Sequence, residues 1–222
     1  MKKLVAATAL LAALAGGAGS ADAALYINQI YGGGGATAAA PLYSNDWVQL
    51  YNSGATDIDL SGYSLQYASA ANLTTFGLTH ALAGTIAANS YFLIQETRGT
   101  GLTGTAADPI YDQIGGALAL SATTGKIALF STTAIGASTV ATSTSLVDLV
   151  GFGTTANFSL YPKMTTNPST TTSAIRTTDA LGNVTFVAGT PVLPATPTPI
   201  PAAAWLLGSG LFGLAGFRKR NS

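Results

Sequence analysis

Cysteine is absent from the 222-residue chain, histidine occurs once, and charged residues make up only 8% of it. Each scarcity excludes a chemistry. Without cysteine there is no disulfide framework, no thiol nucleophile and no cysteine-ligated zinc. One histidine, His80, excludes a two- or three-histidine metal centre within a single chain. Average globular domains carry about 25% charged residues, so polarity here rests on Ser, Thr, Asn and Gly. The formal net charge is zero, which argues against a nucleic-acid partner bound through phosphate neutralisation. The little charge present is unevenly placed. Lys2, Lys3, Arg218, Lys219 and Arg220 supply five of the nine basic residues and all lie near the ends. Residues 24–198 hold four basic residues (Arg98, Lys126, Lys163, Arg176) against eight acidic ones (Asp46, Asp57, Asp59, Glu96, Asp108, Asp112, Asp148, Asp179). The middle is therefore mildly acidic, which weakens a nucleic-acid reading further.

The two ends read as addresses. Residues 1–23 combine Lys2-Lys3, a short Leu/Ala core over 4–14 and the small residues Ala21-Asp22-Ala23. That order predicts a secretory signal cut by signal peptidase before Ala24; the apolar core is too short to span a bilayer comfortably. At the other end, Pro191, Pro194, Pro197 and Pro199 give residues 191–199 the character of a stiff extended spacer. Residues 200–217 then run without a charge. As a helix they would reach about 27 Å, enough for a bilayer core. Pro201 fits a first helical turn, and Gly208, Gly210, Gly213 and Gly216 leave a smooth face for helix contact. Arg218-Lys219-Arg220 follows and predicts a cytoplasmic end. With a cleaved signal in front, the middle then lies outside the membrane.

The tail, with Pro199 and Pro201, Trp205 and the basic triplet Arg218-Lys219-Arg220, resembles the PEP-CTERM sorting signal. It departs from the name-giving motif at Ile200, where that motif has Glu. The resemblance implies processing by an exosortase, a membrane transpeptidase of bacteria that also make exopolysaccharide. A rival, Leu193-Pro194-Ala195-Thr196-Pro197, is close to a sortase motif, but Pro197 stands where that motif needs Gly. A plain single-pass anchor is the simpler alternative.

Residues 24–190 predict an all-β domain. Short apolar or alternating runs recur between Gly/Asn/Ser/Thr turns, with no convincing amphipathic helix. The expected strands are 25–31, 47–51, 58–60, 63–67, 84–86, 91–95, 117–120, 126–130, 146–150, 174–177 and 185–187. In 47–51 the alternation puts Trp47, Gln49 and Tyr51 on one face and Val48 and Leu50 on the other. The glycine run Gly32-Gly33-Gly34-Gly35 lacks the order of a phosphate loop and predicts a flexible loop. Many short strands at this spacing favour a sandwich or barrel.

Three motifs sharpen this. Asn28-Gln29-Ile30-Tyr31, Asn45-Asp46-Trp47-Val48-Gln49-Leu50-Tyr51-Asn52 and Asp59-Leu60-Ser61-Gly62-Tyr63-Ser64-Leu65 resemble the lamin-tail domain family. Looser pieces run on to Ser173-Ala174-Ile175-Arg176, so the resemblance covers about 25–191. It implies an immunoglobulin-like β-sandwich in which Trp47 and Tyr63 are core residues. Gln49 stands where that family usually has Glu, which reduces any ion pair there to a hydrogen bond.

Candidate chemistry is sparse. His80 lies in a loop or strand edge with no nucleophile motif nearby, so a surface or hydrogen-bonding role is expected. Paired carboxylates could hydrolyse a glycosidic bond; the candidates are Asp57 with Asp59, Glu96, and Asp108 with Asp112. Asp57 and Asp59 are also the weak calcium candidates, against the simpler expectation that they hold turns. Asp148 interrupts an apolar run; alternation sets it opposite Val147 and Leu149, facing solvent, or, if buried, paired with Arg176. The tyrosines of the first half, with Trp47, suit either sugar stacking or core packing.

Together these features predict an exported, non-catalytic structural or adhesive module with no cofactor, sorted to the cell surface or exopolysaccharide matrix. Its expected partners are signal peptidase, exosortase and the membrane, with exopolysaccharide as a further candidate. The alternatives are a glycan-binding module of the matrix and a secreted carboxylate-dependent hydrolase.

Overall fold

The structure, a computed structural model, describes residues 25–37, 40–72, 76–134 and 143–193. Ala21 and Ala23 of the signal, and Pro199, Pro201, Trp205, Arg218, Lys219 and Arg220 of the sorting tail, lie outside these residues. Eleven strands follow in order: β1 (Leu25–Tyr31), β2 (Asn45–Asn52), β3 (Ile58–Asp59), β4 (Ser64–Ala68), β5 (Leu78–Ala81), β6 (Thr85–Ile86), β7 (Ser90–Arg98), β8 (Gly125–Phe130), β9 (Leu146–Phe152), β10 (Ser173–Thr178) and β11 (Val184–Gly189). Among the described residues there is no helix, hence none long and apolar enough to cross a membrane.

The strands form a five-stranded sheet in the order β11-β10-β1-β2-β7, a four-stranded sheet β5-β4-β8-β9 and a two-stranded β3-β6 ribbon. All these pairings are antiparallel. Alternation decides which side chains meet between the sheets. Val48 and Leu50 of β2, with Phe92 and Ile94 of β7, face Leu65 of β4, Ile127 and Leu129 of β8, and Val150 and Phe152 of β9 in one buried cluster. In β1 a register shift between Ile27 and Gln29 changes the phase, so Leu25, Ile27 and Ile30 all join that core. Each fully buried Leu, Ile or Phe there contributes about 1.5–3 kcal/mol of transfer free energy. Smaller clusters cover the outer faces. Tyr31, Tyr43, Trp47 and Leu93 pack on the five-stranded sheet, and Ala68, Phe76, Ala128, Phe130 and Leu149 on the four-stranded one.

Two expectations are corrected. Segment 117–120 is no strand, although Leu118 and Leu120 are buried as alternation requires. Its amides at Leu118 and Leu120 donate to the side chains of Glu96 and Asp46, at 3.1 and 2.9 Å, in place of a neighbouring backbone. The glycine run is a loop but a buried one. A Cβ on Gly34 would lie 2.0 Å from the Asn45 carbonyl carbon, and one on Gly32 would lie 2.1 Å from the Ser121 carbonyl oxygen. Close backbone approach, not flexibility, is what these glycines serve.

Candidate functional site

Asp148 and Arg176 meet at the end of the sandwich where β1 and β10 separate. The β1–β10 ladder is confined to Gln29↔Ile175 and Ile30↔Ala174. Ile27, just beyond, has its N–H taken by Asp148 Oδ2 at 2.8 Å, while its carbonyl accepts from Arg176 Nε at 2.9 Å. The two side chains are bonded to each other at 2.8 Å and are almost fully buried. Tyr161 closes the group: its hydroxyl donates to Asp148 Oδ1 at 2.7 Å and accepts from Arg176 Nη2 at 2.6 Å. Burial, then the nearby Asp148 charge, pushes the Tyr161 hydroxyl up to about 12. The guanidinium also lies 4.3 Å from the centroid of the Tyr26 ring and 4.6 Å from that of Tyr161. The ion pair thus substitutes for the strand that β1 loses. Asp148 does lie opposite Leu149, but it faces the interior rather than solvent, because β9 belongs to a sheet covered on both faces.

A second buried polar group joins β2, β5 and β7. Asp46, 4% exposed, accepts the N–H of Gly34 at 2.8 Å as well as that of Leu120. Burial dominates those two bonds and raises its carboxyl from 3.8 to about 7. Glu96 is also buried and its pKa is raised by burial, which His80 opposes. His80 sits on the edge strand β5 with Nδ1 2.8 Å from Glu96 Oε1 and Nε2 2.9 Å from Gln113 Nε2. Gln113 Oε1 accepts the Ala83 N–H, so its amide nitrogen faces the ring and donates to it. Both ring nitrogens of His80 are therefore engaged, one with Glu96 and one with Gln113. This is the hydrogen-bonding histidine that was expected.

The remaining acids follow one rule. Asp57 accepts the Ala88 N–H, Asp59 the Ser61 N–H, Asp108 the Ser44 N–H, Asp112 the Leu93 N–H, and Asp179 those of Leu181 and Asn183. With Asp46, Glu96 and Asp148, each of the eight acidic residues of 24–198 holds at least one backbone amide. Asp57 and Asp59 each hold a separate turn, and no cluster of three or more metal-ligating side chains occurs among the described residues. Sequence reasoning missed Lys126. It is 4% exposed, and its Nζ donates to Asn157 Oδ1 at 2.7 Å and to the Asn72 carbonyl, tying two loops together. Burial lowers its pKa.

The aromatic residues divide. Trp47, Tyr31 and Tyr43 are buried, and Tyr31 and Trp47 stack with centroids 5.5 Å apart. Tyr63 packs, partly buried, against the main core. Tyr26, Tyr51 and Tyr91 instead stand in register across β1, β2 and β7, with centroids 5.5 and 4.6 Å apart and Tyr91 45% exposed. A cleft of about 440 Å³ adjoins Tyr26 and includes Ser53, Asp148, Tyr161 and Arg176. Another of about 280 Å³ adjoins Tyr91 and includes Asn28, Gln29, Arg176 and Val192. Nearby, Gln49 Oε1 accepts from Asn28 and Gln29 at 2.6 and 3.0 Å, and its buried Nε2 has no partner. A carboxylate there would accept from both neighbours without stranding a donor.

The comparisons with known proteins agree with this architecture. No curated protein matches the chain. The crystal structure of a DUF4876 family protein from Bacteroides thetaiotaomicron VPI-5482 superposes with a TM-score of 0.51. That match covers 81% of this chain and 75% of the other at 12% identity, a likeness of fold alone. The Lamin Tail Domain family model matches residues 18–152. It stops at the end of β9, short of the 25–191 expected from motifs, so β10 and β11 complete the larger sheet from outside the matched region. Since the match covers more than half of the sequence and contains the motif-bearing strands β1 and β2, the chain belongs to the lamin tail domain family.

Proposed function

We propose that this lamin tail domain is an exported, non-catalytic module, displayed at the bacterial surface or in the exopolysaccharide matrix after sorting through its C-terminal tail. What carries the reading is how the polar side chains are used. The eight acidic residues of 24–198 hold backbone amides, and the one imidazole bridges Glu96 and Gln113. Such a domain is braced throughout without disulfides and offers surface rather than a reacting group. The tail resemblance supplies the route: signal peptidase at Ala23, insertion of residues 200–217, retention by Arg218-Lys219-Arg220, and exosortase action near Pro199 and Pro201. The described chain leads toward that tail from the outer face of the larger sheet, where Val192 N–H donates to Gln29 Oε1 at 3.1 Å and its carbonyl accepts from the same side-chain amide.

The test is fractionation of the producing cells with the native chain and with Arg218, Lys219 and Arg220 replaced by Ser. The native domain is expected at the surface or in the matrix, and the variant is expected to be mis-sorted. Native chain found in the cytoplasm would refute the reading. So would hydrolysis of a polysaccharide or DNA by the purified chain that is lost on replacing a single carboxylate.

A further inference from the structure

We propose that β11 is a self-association edge, which pairs antiparallel with β11 of a second copy and joins two domains through one continuous sheet. The longer edges elsewhere are closed by their own chain. Along β7, Gln95 N–H donates to the Gln113 carbonyl at 2.8 Å and Thr97 N–H to the Leu118 carbonyl at 3.2 Å. Along β9, the Leu149 carbonyl accepts from Leu160 N–H at 3.1 Å, and Gly151 N–H donates to Ser159 Oγ at 3.0 Å. β5 has only four residues, and its Ala81 carbonyl accepts from Gln113 Nε2 at 3.0 Å. β11 ends its sheet, and among the described residues its backbone is bonded to β10 alone. The chain that follows does not fold back along it: Val192 is held by Gln29 on β1, two strands inward. β11 also runs in unbroken register through six pairs, with no proline, charge or bulge. Those are the devices that keep exposed edges from pairing.

A second copy is the partner that this edge fits. Two-fold antiparallel pairing sets one residue directly opposite itself, with matching faces on either side. Val187 is the exposed apolar side chain of β11, at 46%, and it lies opposite Ile175 of β10. Centred on Val187, the pairing makes an apolar row across four strands, Ile175 and Val187 of one copy followed by Val187 and Ile175 of the other. Apolar cross-strand pairs of this kind stabilise a sheet. On the inner face Phe186 comes beside Ala188 of the second copy, and both already pack on the main core. Residues 24–198 are acidic overall, but Val184–Gly189 carries no charge. Two copies therefore meet here without like-charge contact, and a partner recognised by charge finds no counter-charge on the strand. The hairpin lies outside the region matched to the family, so the family likeness carries none of this. A six-residue edge buries little area, which makes the association weak; display of many copies on one surface raises their effective concentration. The inference goes beyond the surface-module reading. Failure to pair would leave the sorting reading intact, and retention inside the cell would leave the pairing measurement unchanged.

The test is sedimentation of the detergent-solubilised full chain between about 1 μM and about 1 mM, a range that brackets a weak interface. Monomer is expected at the low end and dimer at the high end. Val187→Lys, a charge on an exposed edge position, is expected to weaken association about tenfold while leaving the melting temperature of the dilute protein unchanged. Without any variant, hydrogen exchange should slow in β11 as concentration rises and stay constant in β7, whose edge is already closed. Because the chain has no cysteine, Val187→Cys adds a single thiol, and mild oxidation should link two copies through it. A chain that stays monomeric at about 1 mM would overturn the proposal. So would equal association of Val187→Lys, or β11 exchange that does not depend on concentration; either would place any dimer on another surface, such as the glycine-bearing tail.

Discussion

The most informative residues are the buried charges, because each has a second task besides its own neutralisation. Arg176 serves Asp148, Tyr161 and the Ile27 carbonyl together. Arg176→Ala should cost about 3–5 kcal/mol in urea denaturation, since it leaves Asp148 buried without a counter-charge. Arg176→Lys should recover only part of that loss, because an ammonium lacks the planar fork that reaches all three acceptors. Asp46 makes a different prediction. Folded, it keeps its proton to about pH 7; unfolded, its pKa is 3.8. Between those values the folded state binds more protons, so this stabilisation is complete below the unfolded value and is lost as pH rises through the folded one. Glu96, also raised by burial, acts in the same direction. Denaturation midpoints should fall across this interval, with a slope of up to roughly 1.4 kcal/mol per pH unit for one group. Asp46→Asn should flatten that slope while lowering stability throughout, because one of the two amides it holds loses its acceptor. The sequence showed the Asp148–Arg176 pair only as one of two options. Alternation tells which residues share a face, but not that both faces of β9 are covered.

At the scale of elements, ten of the eleven expected runs coincide with strands, and β1 agrees to the residue. The errors share one cause. Segment 117–120 has a strand's pattern and burial, yet carboxylates rather than a strand receive its amides. β5, short and mostly exposed, has too little apolar pattern to declare itself and is held by register with β4. The glycine run shows the same gap: composition suggests freedom, while tertiary contact imposes tight packing. Gly34→Ala should therefore destabilise the domain by about 3 kcal/mol, because the new methyl meets backbone atoms of Asn45 and Asp46. Gly77→Ala, where nothing lies within 4 Å of an added Cβ, should be near neutral. Thermal melting of the two variants side by side checks the contrast. The tyrosine row was legible only as a count of aromatics. The pairing register that aligns Tyr26, Tyr51 and Tyr91 arises from long-range contacts between strands.

At the scale of the whole molecule, three sections have different duties. The sandwich is self-sufficient: two sheets share one core, and the acids brace the turns and interrupted ladders where backbone pairing fails. On the proposed reading the two ends carry the instructions for placement, and local order of the kind sorting enzymes recognise can be read from a sequence without its fold. Val192 and Leu193 connect the two levels. Gln29 clasps the backbone of Val192, and Leu193 packs against the Trp47 cluster, so a tail pulled by a membrane would load the central strand β1 rather than the edge strand β11. The measurement that bears most directly on the account is the intact mass of the protein taken separately from the membrane and matrix fractions of the producing bacterium. The account predicts a matrix form that begins at Ala24 and ends near Pro199, with any excess mass belonging to an attached group. A chain that keeps residues 205–222 and occurs only in membranes would contradict it, and would make this a permanently anchored single-pass protein.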